Sequence, residues 1–178
     1  MNKDSGFTLI EVLIATLVLA VGLLGLAGLQ VTSIRNNLSA YNRSQATQLA
    51  YDMADRMRAN KNESIDPTTG NVIAAGTYLT MAPTAAVVQA SCATVTGCTG
   101  AQMAQNDLFQ WNAALINTLP SGTGTITVVA ATRVFTIAIN WDDNRDGDVD
   151  GNGGASEGDV DSDGDTDDDP FFETSFQL

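Results

Sequence analysis

The stretch GFTLIEVLIATLVLAVGLLGLAGL, residues 6–29, decides the fold of this chain. From Val12 to Leu29 every residue is apolar except Thr16, and no charged residue follows Glu11 until Arg35. As a helix, residues 12–29 have a length of about 27 Å, which is close to the hydrocarbon thickness of a bilayer. The run therefore predicts one helix of membrane-spanning length.

Glu11 is the one carboxylate in this run. An acid at the centre of a membrane helix costs about 2.5–3.5 kcal/mol, although the cost falls near the helix end, where the side chain can reach into water. A second interpretation follows if the chain is cut after Gly6. The new amine of Phe7 and the carboxylate of Glu11 then lie on one helical face, and the two charges can neutralise each other in lipid.

The helical pattern continues beyond the apolar run, because residues 29–59 contain neither Gly nor Pro. Apolar residues recur at helical spacing and predict one buried stripe. Its members are Leu38, Ala46, Leu49, Ala50, Met53 and Met57. We expect one helix from Phe7 to about Ala59, with residues 7–29 in lipid or a filament core and residues 30–60 amphipathic.

The segment GFTLIEVLIA resembles the class III signal of type IV pilins and of type II secretion pseudopilins. The resemblance implies that residues 1–6 are a leader, which a prepilin peptidase removes after Gly6. It also implies that the peptidase methylates the new N-terminus on Phe7, and that Glu11 pairs with the N-terminus of a neighbouring subunit. Residues 6 to about 61 are similar to PilV, the type IV pilus modification proteins, which are minor pilins.

A secretory signal peptide is the alternative interpretation of the N-terminus, with Lys3 as its positive region. Such signals have an apolar core of about 7–15 residues, followed by a cleavage site with small residues. The apolar run here is longer and leads directly into a helical pattern. The sequence therefore favours a retained helix.

Residues 61–178 predict a globular α+β head with an antiparallel sheet. A short helix is indicated by Leu108, Trp111, Leu115, Ile116 and Leu119, with Trp111 in the core. Strands are predicted at residues 125–130, at residues 133–141 with alternate residues buried, and at residues 172–178. The whole pattern predicts a type IV pilin-like fold, in which a long N-terminal helix packs on the sheet of the head.

Cys92 and Cys98 are the two cysteines of the chain. An even number of cysteines in an exported protein favours a disulfide, which would close a small loop here. The alternative is two free thiols. A zinc site is less favoured, since the chain contains no His.

The negative charge is concentrated in residues 142–169. This segment has a net charge of −12 from twelve Asp, Glu157 and Arg145, so the rest of a chain with net charge −13 sums to −1. Because the segment lies between two predicted strands, we expect it to be a connection within the sheet. The chain has no basic patch that would bind nucleic acid.

Residues 146–157 fit the calcium-loop pattern D-x-[DN]-x-[DN]-G-x5-E. Alternating acids bring oxygen atoms around one hard cation, and Glu157 can close the site with both oxygens. Competing registers start at Asp142 or at Asp159, and a disordered acidic segment without metal is the alternative. We expect one or two calcium ions. The candidate ligands are Asp142, Asn144, Asp146, Asp148, Asp150, Asn152, Glu157, Asp159, Asp161, Asp163 and Asp165.

The sequence contains no nucleophile paired with a base and no phosphate-binding glycine loop, so we expect that the protein is not an enzyme. The resemblance implies a minor pilin that primes or modifies a type IV pilus and supports adhesion and twitching motility. Its partners would be other pilins, the prepilin peptidase, the inner-membrane assembly platform and the membrane. We expect the protein in the inner membrane, with its head in the periplasm, before it enters the extracellular pilus.

Two other functions stay open at this point. The first is a minor pseudopilin of a type II secretion system, which has the same kind of N-terminus. The second is a membrane-anchored calcium-binding protein that never enters a filament. The N-terminal residue of the exported protein distinguishes this second alternative from a pilin. A pilin would be cleaved after Gly6, whereas an anchor without a prepilin signal keeps Met1.

Overall fold

The computed structural model describes residues 8–142 and 171–178. Its first element is helix α1, Leu9–Ala59. The predicted first residue, Phe7, lies outside the described residues, and the predicted end at Ala59 is confirmed. The chain divides into two units, residues 1–40 and residues 41–178.

The described part of the first unit is helical from Leu9, and all side chains of residues 8–38 are exposed. Within the described residues, α1 alone is long and apolar enough to cross a membrane. Its most apolar stretch has a mean hydropathy of 2.6 and contains no buried residue. Exposure of so many apolar side chains to water would be strongly unfavourable in free energy. This pattern agrees with the prediction of a membrane-length helix.

The second unit begins with residues 41–59 of α1, which bury one stripe of small and flexible side chains. This stripe consists of Asn42, Ala46, Ala50, Met53, Ala54 and Met57. The predicted stripe is largely confirmed. Leu49 is only partly buried, and Leu38, in the first unit, is exposed. Alanine on the buried stripe allows a neighbouring element to approach the helix backbone closely.

Helices α2, Thr77–Thr80, and α3, Gly100–Thr118, follow in the head. The side chain of Thr99 caps α3 by accepting a hydrogen bond from the Gln102 backbone amide, and the Thr99 amide donates to the side-chain oxygen of Gln102. The predicted helix is confirmed but is longer than expected, because its first turns are fixed by this cap. Ile116 was expected on the apolar face and is 59% exposed.

Three antiparallel strands form a sheet in the order β1, β2, β3. They are β1 (Thr123–Val129), β2 (Val134–Asn140) and β3 (Phe171–Gln177). Asn140 pairs with Phe171, so residues 143–170 connect adjacent ends of neighbouring strands. The prediction that the acidic segment joins two strands of the sheet is confirmed. β1 begins two residues earlier than predicted and includes Gly124.

The core lies between α1, α3 and the inner face of the sheet. The central strand contributes alternate, fully buried side chains as predicted: Phe135, Ile137 and Ile139, followed by Trp141. Trp111 of α3 is also fully buried and donates its indole N–H to the Leu49 carbonyl of α1 at 3.0 Å. The predicted core role of Trp111 is confirmed, and its polar atom is satisfied by the helix backbone.

Gly124 is the point where β1 touches this tryptophan. A Cβ atom added at Gly124 would lie 2.4 Å from a ring carbon of Trp111 and 2.8 Å from a methyl carbon of Leu115. These distances are shorter than van der Waals contacts. Only glycine therefore allows the strand to lie this close to α3.

We expect that Gly124→Ala lowers the free energy of unfolding of the full-length protein in detergent by about 1–3 kcal/mol, because the added methyl group overpacks the core. Chemical denaturation measures this change. Thr125→Ala is the matched control, since the neighbouring side chain is exposed. An equal effect of the two substitutions would contradict the close packing at Gly124.

Candidate assembly surface

Glu11 lies in the first turn of α1, where its amide donates a hydrogen bond to the Thr8 carbonyl at 3.1 Å. A carboxylate in the first turn of a helix is favoured by the helix dipole. Within residues 8–142 and 171–178, Glu11 has no ion-pair partner, and all side chains around it on this helix are exposed. The carboxylate is thus accessible to a cation from another molecule.

Thr16 is the other polar residue of the apolar run. Its hydroxyl donates to the Leu13 carbonyl at 2.9 Å, so its hydrogen bond is made within the helix. Among the residues that the structure describes, the Glu11 carboxylate has no ion-pair partner of this internal kind. Of these two polar side chains, Glu11 is the one whose charge requires a partner in an apolar environment.

Gly6 and Phe7, where cleavage and methylation are predicted, lie outside the described residues. Among the predicted calcium ligands, only Asp142 is described. It is buried, and its amide donates to the Pro120 carbonyl at 3.1 Å. The other predicted ligands, Asn144 to Asp165, lie outside the described residues. The described ranges contain no group of three acidic or cysteine side chains that could hold a metal ion.

Cys92 and Cys98 form the predicted disulfide, with their Cα atoms 4.7 Å apart. The alternative of two free thiols is therefore wrong. The bridge closes the loop immediately before Thr99, the N-terminal cap of α3. It thereby limits the conformations of the chain that enters the helix.

A polar network joins α1 to α3, and sequence reasoning missed it. Arg56 contacts Asp52 at 2.9 Å and the buried Asp107 at 3.2 Å. The Tyr78 hydroxyl donates to the second oxygen of Asp107 at 2.6 Å and accepts a bond from Asn60 at 3.3 Å. One signal was present in the sequence, because Asp107 is the one charged residue between Asp66 and Arg133.

The network raises the pKa of two of its members, Arg56 and Tyr78. Burial lowers the pKa of Arg56, but the hydrogen bonds and charges of Asp52 and Asp107 outweigh burial and leave the pKa raised. Burial raises the pKa of Tyr78 strongly, and the hydrogen bond to Asp107 raises it further. At neutral pH the tyrosine is therefore a neutral donor to a carboxylate held by an arginine.

Comparison with known families matches two consecutive parts of the chain. Residues 1–27 match the family model described as the prokaryotic N-terminal methylation motif. Residues 28–109 match the model described as type IV pilin Tt1218. No curated protein and no solved structure matches the chain. Pilins are structural subunits, so the expectation that the protein is not an enzyme is confirmed.

We expect that Tyr78→Phe lowers the free energy of unfolding by about 1–3 kcal/mol at pH 7, because Asp107 loses a buried hydrogen bond. Because the folded-state pKa of Tyr78 is raised, its contribution is complete below the unfolded-state pKa of about 10 and decreases at higher pH. The variant should lose less stability between pH 9 and 11 (about one unit either side of that pKa) than the wild type.

Denaturation in detergent over this pH range measures both effects. Tyr51→Phe is the matched control, since Tyr51 is exposed and lies on α1. The assigned role of the Tyr78 hydroxyl would be wrong if the two variants had the same stability and the same pH profile.

Proposed function

We propose that this chain, a type IV pilin-like protein with the prokaryotic N-terminal methylation motif, is a minor pilin. It primes or modifies the assembly of a type IV pilus and supports adhesion and twitching motility, as a protein of the PilV kind would. The observation that carries the proposal is Glu11, an exposed carboxylate on an exposed apolar helix within the match to the methylation motif.

The apolar helix needs an environment without water, which either a bilayer or the packed helices of a filament can supply. In both, the charge of Glu11 is unfavourable unless a cation lies beside it. Cleavage after Gly6 creates a cation at Phe7, and methylation by the prepilin peptidase keeps its charge. In a filament, the Phe7 amine of the adjoining subunit would be the partner of Glu11.

This function places the protein in two locations in turn. Before assembly, the apolar helix anchors it in the inner membrane, with the head in the periplasm and in contact with the assembly platform. After assembly, it is a subunit of the extracellular pilus beside other pilins. The disulfide of the head supports an oxidising compartment for that part of the chain. The match to a type IV pilin model favours a pilus over a type II secretion pseudopilus.

We expect that Glu11→Val reduces the number of labelled pili by about tenfold or more, because each 1.4 kcal/mol of lost pairing energy is a factor of ten. Immunogold labelling of sheared pili measures incorporation, and mass spectrometry of the N-terminus tests cleavage after Gly6. Thr16→Val is the matched control, because it removes the other polar side chain of the run but leaves the carboxylate. A wild-type protein that keeps Met1 or is absent from pili would refute the proposal.

We also propose that the acidic connection binds calcium. The pairing of Asn140 with Phe171 holds both ends of this connection at one end of the sheet, and Asp142 is buried where β2 ends. The segment carries a net charge of −12 between two fixed ends, so its carboxylates repel one another. Divalent cations bound among them would reduce this repulsion. One or two calcium ions with dissociation constants of about 10⁻⁴ to 10⁻³ M fit this chemistry.

We expect that about 5 mM calcium stabilises the head by about 1–2 kcal/mol relative to chelator, because the ion binds only the folded loop. Thermal unfolding measures the difference. Glu157→Gln should remove it, whereas Glu173→Gln on β3 should keep it. If calcium still raises the melting temperature of the Glu157→Gln variant, the ion is bound in another register of the loop. Equal melting temperatures of the wild type in calcium and in chelator would refute calcium binding.

A further inference from the structure

Arg35 is the first charged residue that follows Glu11 along α1, and it is exposed. Residues 12–51 contain no Asp or Glu, so no carboxylate of α1 lies one helical turn from Arg35. Among the residues that the structure describes, Arg35 takes part in none of the ion pairs. The first unit therefore carries a cation for which its described residues supply no acidic partner.

The polar side chains beside Arg35 do not need an external partner in the same way. The Thr32 hydroxyl, for example, donates to the Gly28 carbonyl at 3.3 Å, so its hydrogen bond is made within the helix. The guanidinium of Arg35 has five N–H donors and keeps its charge at every physiological pH. An anion that neutralises it has to come from another molecule.

The distance of Arg35 from the apolar run places it at the surface of a membrane. Arg35 follows Leu29 by six residues, which is about 9 Å along the helix axis. The headgroup layer on each side of a bilayer is about 5–7 Å thick. When residues 12–29 fill the hydrocarbon core, the Cα atom of Arg35 lies close to the outer edge of this layer.

The direction of the side chain brings the charge back towards the lipid. In an α-helix each Cα–Cβ bond is tilted towards the helix N-terminus, and the apolar run lies on the N-terminal side of Arg35. Long arginine side chains near the ends of membrane helices extend to the interface in this way. The guanidinium of Arg35 therefore reaches into the headgroup layer.

The chemistry of this layer selects the partner. Each phospholipid headgroup carries a phosphate, and a guanidinium binds phosphate through two parallel hydrogen bonds. A carboxylate of another protein would have to be positioned beside Arg35, whereas lipid phosphates surround the helix at this depth in every orientation. Charge complementarity and position therefore both favour a lipid phosphate.

We infer that Arg35 binds the phosphate of a lipid headgroup at the periplasmic surface of the inner membrane and thereby holds α1 at a fixed depth. The inference rests on the proposed function for the location of the helix, which is the inner membrane before assembly, with the head in the periplasm. It gives the end of the apolar run a role different from that of Glu11, whose proposed partner is another subunit.

Solid-state NMR of the full-length protein in vesicles of phosphatidylethanolamine and phosphatidylglycerol tests the contact. The arginine Cζ atoms carry ¹³C, the lipid supplies ³¹P, and the buffer contains no phosphate, so lipid is the one source of the anion. We expect rapid dephasing of an arginine Cζ signal by ³¹P, which is lost in Arg35→Gln. Arg43→Gln should keep it, because Arg43 is also exposed but lies eight residues further along α1. No dephasing in the wild type, or no difference between the two variants, would overturn the inference.

The depth of the helix is measured in the same vesicles by labelling Ser33→Cys with a membrane-impermeant maleimide. The two native cysteines are paired in the disulfide and do not compete for the label. Arg35→Leu should slow labelling several-fold, because loss of the charge lets α1 move further into the lipid. Arg43→Leu in the same background should leave the rate unchanged. Equal rates in these two variants would overturn the role of Arg35 in fixing the depth.

These measurements separate the inference from the proposed function, because vesicles contain no pilus. If the wild type is absent from sheared pili, the proposed function fails, and the ³¹P dephasing and the labelling rates alone decide the inference. If the wild type enters pili but Arg35→Gln keeps the dephasing of the wild type, the inference fails and the proposed function stands.

Discussion

The structure depends on one constraint, which is that α1 has to satisfy two different environments along its length. Residues 8–38 are exposed and almost entirely apolar, whereas residues 42–57 bury one stripe against the head. Neither water nor lipid alone is a favourable environment for both of these parts of α1. The first part requires lipid or other helices, and the second requires α3 and the sheet.

The head holds the second part of α1 through contacts of two kinds. Ala46, Ala50, Met53 and Met57 supply small or flexible surfaces for packing, and Trp111 bonds directly to the backbone of α1. The network of Arg56, Asp107 and Tyr78 adds directional bonds between α1 and the head. Apolar attraction is non-directional, whereas hydrogen bonds to a buried carboxylate depend on both distance and angle. The network therefore fixes how α1 lies against α3.

Charge is distributed unevenly in the head. The acidic connection carries nearly all the net charge. On α1, Asp52 pairs with Arg56 and Asp55 pairs with Arg58, and the described surface around α3 and β1 is neutral. A neutral surface can bury itself against another protein without unpaired charges. An acidic segment favours cations instead.

The sequence alone determined the local elements, because periodicity depends only on neighbours along the chain. The long helix, the buried alternation of β2, the disulfide pairing of two cysteines and the family resemblance at Glu11 could all be predicted in this way. The length of α3 was underestimated, because its start is fixed by the Thr99 cap and not by apolar spacing. The exposure of Ile116 was also missed, since helical spacing does not show where the core ends.

Only the tertiary structure decided which distant residues meet. Arg56 and Asp107 are 51 positions apart, and no pattern in either helix indicates their contact. The close approach of Gly124 to Trp111 and the groove between residues 78–84, Asn112 and β1 likewise depend on packing. Sequence periodicity specifies which face of an element is apolar. Which partner covers that face, and which apolar residues stay exposed, is set by the three-dimensional fit of the whole head.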